Sequence, residues 1–68
     1  LDFREELRTV LELIRSHPSG FPILRKDIRR ANLRRFPYGV FYRLRQDGLF
    51  VLAVVHHARH PRHWQRRG

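Results

Sequence analysis

At 68 residues the chain has room for one small domain, near the size at which a single apolar core barely suffices. It has no cysteine, which excludes disulfides and thiolate metal sites, and no apolar run approaching the roughly 18 residues that cross a membrane. Its net charge of +9 is unevenly placed: residues 1–27 balance five cations against five acids, while residues 28–68 carry ten arginines against Asp47 alone. Fourteen of the fifteen cationic side chains are arginine, the group suited to bidentate pairing with carboxylate or phosphate, so a polyanion or an acidic protein is the expected partner.

Asp2 followed by Glu5 has the form of a capping box. Phe3, Leu7, Val10, Leu11 and Ile14 then recur at helical spacing, which predicts an amphipathic helix over residues 3–16 that stops before Pro18. Residues 17–28, punctuated by Pro18, Gly20 and Pro22, are expected to connect, with Phe21, Ile23 and Leu24 tucked under a sheet edge. Arg29 to Arg35 alternates as a strand, with Ala31 and Leu33 on one side and Arg30, Asn32 and Arg34 on the other.

The strongest local signal is a hairpin over residues 38–57 around Asp47-Gly48. A two-residue turn there sets Leu44 opposite Val51, Tyr42 opposite Ala53, Val40 opposite Val55 and Tyr38 opposite His57, all on a core face. The other face pairs Arg45 with Phe50, Arg43 with Leu52 and Phe41 with Val54, mixing cationic and apolar groups as a covered surface would. Past it, Pro61 is placed to open a short helical turn that carries Trp64 inward. The expected architecture is α+β, one domain over residues 1–68, with the N-terminal helix packed on an antiparallel β-meander of three strands.

Few residues carry chemistry. His56, His57, His60 and His63 have a spacing that a helix could gather, but Pro61 interrupts it and no carboxylate is near, so no metal site and no cofactor are expected. Tyr42 falls on the core face. The arginines form the largest set: Arg30 and Arg34 on the first strand, Arg43 and Arg45 beside Phe41, and Arg59, Arg62, Arg66 and Arg67 near Trp64. With Phe41 and Leu52 they could stack on and neutralise a nucleic acid, or receive an acidic amphipathic segment. There is no nucleophile triad, phosphate-binding glycine loop or carboxylate pair.

Residues 29–64, with Phe36-Pro37-Tyr38 leading to Tyr42-Arg43, then Val51-Leu52-Ala53-Val54-Val55-His56 and Arg59-His60-Pro61-Arg62-His63-Trp64, resemble the RelE/ParE toxin superfamily. The resemblance implies a RelE-like fold and a cytoplasmic bacterial toxin of a type II toxin–antitoxin pair, of the kind that stabilises plasmids. An acidic, partly disordered antitoxin would wrap and neutralise it. ParE-like members inhibit DNA gyrase; RelE-like members cut mRNA on the ribosome with basic strand residues and a tail tyrosine. Of the latter set only Arg30, with Arg59 adjacent to a second position, is matched, since Asn32, Gly39 and Trp64 stand at the others. The ParE-like reading is therefore expected, with no catalytic residue and with Arg30, Arg34, Phe41, Arg43, Arg45, Leu52, Arg59, Arg62 and Trp64 as the surface for antitoxin or target. An inactive member that only binds its antitoxin is the remaining alternative.

The family also implies a strand and a helix ahead of Leu1, that strand pairing with the last one of the meander. Without them the chain would be an N-terminally truncated form whose last strand is open to a partner or a second copy.

Overall fold

The computed structural model describes residues 2–58. The helix, α1, spans Phe3–Ser16 as its apolar spacing requires. Asp2 caps it: the Asp2 carboxylate accepts from the Glu5 amide at 2.9 Å, and Glu5 Oε1 accepts from the Asp2 amide at 3.2 Å. Two otherwise orphaned donors are thereby satisfied. The helix ends ahead of Pro18, where Pro18–Gly20 makes one 3₁₀ turn.

A four-stranded antiparallel sheet follows, ordered β1-β2-β3-β4, with β1 at Ile23–Arg25, β2 at Ile28–Asn32, β3 at Tyr38–Arg45 and β4 at Gly48–His56. Val10 and Ile14 of α1 meet Ala31, Leu33, Val40 and Tyr42 in one buried cluster, edged by Phe3, Leu7, Leu11, Phe21, Phe36, Tyr38 and Leu49. Each large apolar side chain fully buried there contributes about 1.5–3 kcal/mol.

The sheet holds one strand more than the sequence predicts. Residues 17–28 are not merely a connector, because β1 pairs with β2 through Ile23↔Arg29 and Arg25↔Ile28. The intervening turn has no glycine to announce it; Lys26 itself takes the left-handed conformation, with φ 55°. Ile23 and Leu24 remain 54% and 40% exposed instead of tucking under the sheet. Phe21 does turn inward, edge-on to Tyr42 with ring centroids 6.3 Å apart. At its other end β2 stops at Asn32, so residues 33–35 bend away where strand was expected.

The hairpin stands, but its register differs from the predicted one. Arg45 pairs with Gly48, Leu44 with Leu49, Arg43 with Phe50 and Tyr42 with Val51. The two turn residues are thus Gln46 and Asp47, and Gly48 opens β4 at φ +152°, a conformation that needs glycine. A bulge follows in β4, after which Phe41 pairs with Ala53, Val40 with Val54, Gly39 with Val55 and Tyr38 with His56. One inserted residue, Leu52, moves Val54 and His56 to the side of α1 and Ala53 and Val55 to the other. Setting the small Ala53 opposite Phe41 leaves room for the ring, which is only 6% exposed.

Candidate interaction surface

The side of the sheet away from α1 carries Ile28, Arg30 and Asn32 from β2, Gly39, Phe41 and Arg43 from β3, and Phe50, Ala53 and Val55 from β4, aligned by the ladder pairs. Phe41, predicted to lie open beside the arginines, is buried at 6% exposure, with Arg30 and Ala53 at its ladder positions on the neighbouring strands. It supports this surface from within.

Arg43 and Arg45 are not a bare cationic pair. Arg43 Nε donates to Asp27 Oδ1 at 2.9 Å and Arg45 Nε to Asp27 Oδ2 at 3.3 Å. Position in the β1–β2 turn partly desolvates the Asp27 carboxyl, which alone would raise its pKa. The hydrogen bond from Arg45 and the charge and hydrogen bond of Arg43 outweigh that and hold it below the usual carboxylate range. All three side chains are partly or well exposed, so the cluster adds little stability; its consequence is to cancel half of the local positive charge.

Around Gly39 the polar groups of this face converge. A β-carbon built there would lie 3.0 Å from Asn32 Oδ1, 3.0 Å from His57 Cε1 and 3.2 Å from Arg30 Cδ. Arg30 Nε is buried there with no hydrogen-bond partner. His57 reaches this spot because the bulge turns it away from α1, where the predicted register had put it, and because its amide donates to the Pro37 carbonyl at 2.8 Å.

A second surface lies between α1 and the chain leaving β2. Glu6, on the same stripe as Val10 and Ile14, is 6% exposed, and its carboxylate accepts from the backbone amides of Arg34 and Arg35, the latter at 3.1 Å. That contact fixes the start of residues 33–37 and leaves both arginine side chains exposed at the rim of a groove of about 660 Å³. Thr9, Val10 and Leu13 of α1 and Phe21 line its apolar part. Neither Arg34 nor Arg35 has a carboxylate partner among the described residues. Arg35 and Glu6 were not singled out from the sequence, although the spacing Glu6-Val10-Ile14 puts the acid on the buried stripe.

The residues that carried the resemblance are chiefly packing groups. Phe3 meets Phe36 and Tyr38 edge-on, at 5.3 and 5.0 Å between centroids, and Tyr38 meets His56 at 5.0 Å. His56 Nδ1 accepts from the Ala58 amide at 3.1 Å. Tyr42 is fully buried, and its hydroxyl donates to the Pro18 carbonyl at 2.5 Å. Burial pushes its pKa up, against the opposing charge of Arg29. Arg29 in turn donates to the carbonyls of Ser19 and Phe21 at 3.3 and 2.7 Å, so both side chains fasten residues 18–21 to the sheet.

Leu52, at the bulge, is 45% exposed on the outer edge of the sheet. Arg59, Arg62 and Trp64, with His60, His63 and the predicted helical turn, lie outside the described residues. Among the described residues no group of three or more potential metal ligands forms, and no helix is long and apolar enough to cross a membrane.

Neither the curated proteins nor the solved structures contain a match to the chain. A family model does match: that described as the ParE toxin of the type II toxin–antitoxin system parDE, over residues 1–61. With a helix followed by an antiparallel meander, and with the aromatic motif residues forming its packing, the chain belongs to the ParE toxin family of type II toxin–antitoxin systems.

Proposed function

We propose that the protein acts in the bacterial cytoplasm by binding DNA gyrase and inhibiting it, without catalysing a reaction of its own, and that an acidic antitoxin neutralises it. The family match over residues 1–61 carries this reading. The antitoxin's share is supported by the charge distribution, because the whole +9 falls within residues 28–68. Arg34 and Arg35 on the apolar groove beside α1 offer such a partner both charge pairing and burial. Arg43 and Arg45 offer less, since Asp27 already engages them.

A second reading, ribosome-dependent cleavage of mRNA, is favoured by one observation. Arg30, Asn32 and His57 surround Gly39, and the buried Arg30 Nε could donate to a phosphate oxygen, with the His57 imidazole beside it to move a proton. The deciding experiment adds the purified chain to a gyrase supercoiling assay and, in parallel, to a translating extract read by primer extension. Lost supercoiling with intact mRNA is the expected result. Intact supercoiling with cuts at codon positions, abolished by Arg30→Ala or His57→Ala, establishes the second reading instead. No effect in either assay, with antitoxin capture retained, identifies a member that only binds its antitoxin.

A further inference from the structure

The side of the sheet away from α1 gathers arginines at one end. Arg25, Ile28 and Arg43 stand in one ladder row across β1, β2 and β3. Arg45 lies two residues further along β3, and Arg30 two residues further along β2. Residues paired in a ladder, or two apart on a strand, point to one face, so the four arginines share it. Backbone spacing puts Arg43 about 7 Å from Arg45 and about 10 Å from Arg25. These separations are within a screening length in about 0.1 M salt, so the charges act together. No acid occupies a sheet position on this face. In the turns beside it, Asp27 is held by Arg43 and Arg45, and Asp47 has no ion pair among the described residues. None of these residues belongs to a β4 ladder position, so a strand paired with the outer edge of β4 leaves this surface as it is.

We infer that this end of the sheet docks on the phosphate backbone of duplex DNA, with Asp27 holding the place of a phosphate until DNA arrives. The inference rests on the gyrase reading in one respect, the choice of duplex DNA among polyanions. The arginines already hold an anion: each oxygen of the Asp27 carboxylate accepts from one guanidinium Nε, at 2.9 and 3.3 Å. Two guanidinium groups on one carboxylate leave a positive charge unmatched. Exchange of Asp27 for a phosphate is weakly opposed, because all three side chains are partly exposed and such pairs add little.

A lone carboxylate from a peptide gains nothing by that exchange. It is the same group as Asp27, which the β1–β2 turn keeps beside the arginines at high effective concentration. A duplex does gain, since it carries one negative charge per about 1.7 Å of its axis, neutralises several arginines together and releases its condensed counterions. Arg34 and Arg35 differ because they border the apolar groove beside α1, which suits an amphipathic acidic segment. The two anionic partners thus meet opposite ends of β2, DNA before Ile28 and the acidic protein after Asn32.

Fluorescence anisotropy of a labelled DNA duplex titrated with the full chain, over a series of salt concentrations, tests this. The expected Kd is on the order of 10⁻⁴–10⁻⁶ M near physiological salt. Arg43→Ala with Arg45→Ala should weaken binding at least about tenfold and lower the slope of log K against log salt by about 2. Arg34→Ala with Arg35→Ala removes the same charge from the other end of β2 and should weaken it by less than about threefold. Asp27→Asn should tighten it about two- to fivefold, whereas Glu12→Gln, which removes one negative charge from the exposed side of α1, should not. A single-stranded RNA of the same length, with half the charge per unit length, should bind more weakly than the duplex. Far-ultraviolet spectra and thermal melts establish that each variant folds, and the wild type gives an independent reading: its amide chemical shifts should move at residues 25–30 and 43–45 when duplex is added. No binding to the duplex, tighter binding of the RNA, equal losses from the two arginine pairs, or Glu12→Gln tightening as much as Asp27→Asn would each overturn the inference. Supercoiling is scored separately. Duplex binding with intact supercoiling removes the gyrase reading and leaves this surface, and lost supercoiling without duplex binding does the reverse.

Discussion

Glu6 of α1 receives the backbone amide of Arg34, and the next amide, that of Arg35, shares the same carboxylate oxygen. The residues that follow β2 are thus fixed from the helix side by an anion placed among apolar groups. A charged acceptor with two backbone donors contributes about 1.5–3 kcal/mol per bond before desolvation is counted. Glu6→Ala should therefore lower the urea midpoint by an amount equivalent to about 2–4 kcal/mol with an unchanged m-value. Glu6→Gln, which keeps a neutral acceptor, should lose roughly half as much. Equal stability of wild type and Glu6→Ala would show that the contact is not formed in solution.

Tyr42 makes a prediction at the alkaline end. Its pKa is raised from 10.0 by burial, so the contribution of the neutral phenol is fully present below pH 10 and is lost as pH climbs through the higher folded value. Melting temperature measured from pH 8 to about pH 12 should fall more steeply for wild type than for Tyr42→Phe. At neutral pH the phenylalanine variant should be less stable by about 0.5–1.5 kcal/mol, the net value of the lost hydrogen bond to the Pro18 carbonyl.

Asp27 has the opposite sign. Its folded pKa lies below the ordinary carboxylate value of 3.8, so its contribution is present above that value and is lost as pH falls through the lower folded one. The acid limb of the stability curve should flatten slightly in Asp27→Asn. The larger effect is expected on binding. Releasing Arg43 and Arg45 should tighten capture of an acidic peptide and steepen its salt dependence, while Arg43→Glu with Arg45→Glu should weaken it less than Arg34→Glu with Arg35→Glu does. Titration calorimetry at two ionic strengths separates these outcomes.

Two turn positions differ in the residue they call for. Gly48, at φ +152°, has ordinary space around a built β-carbon, with Phe50 Cζ 3.5 Å away, so the cost of Gly48→Ala is conformational. It should be about 1–3 kcal/mol. Lys26 at φ 55° bears the left-handed penalty of about 1–2 kcal/mol, of which glycine would return all but the extra entropy of its unfolded chain, about 0.4–1 kcal/mol. Lys26→Gly should raise the melting temperature, as read by differential scanning calorimetry.

Local patterns exposed much of this fold. The cap at Asp2, the stripe on α1, the stop before Pro18 and the inward set Ala31, Leu33, Val40 and Tyr42 all follow from periodicity, and the structure has each of them. β1 stayed hidden because Lys26 replaces the glycine that advertises a turn, and because Ile23 and Leu24 face solvent. The hairpin register departs from expectation at two points: the turn falls on Gln46-Asp47, so that Gly48 opens β4, and a bulge at Leu52 leaves no residue signature among consecutive apolar residues. Of the surface residues, Arg34 and Leu52 are exposed as expected, whereas Phe41 is buried. The engagement of Arg43 and Arg45 depends on an acid 16 and 18 residues away, a distance over which no spacing rule operates.

The sheet order β1-β2-β3-β4 repeats the order of the strands along the chain. Each new strand therefore docks on the one just made, and every closure is a short one, which favours rapid folding. Yet the residues that fill the space beneath α1, Val40 and Tyr42, come from the third strand. A ribosome that has released only α1, β1 and β2 holds a helix whose apolar stripe is still uncovered. The growing chain thus divides at Tyr42: before β3 emerges the apolar stripe of α1 lacks its main cover, and once Val40 and Tyr42 are out the buried cluster is complete.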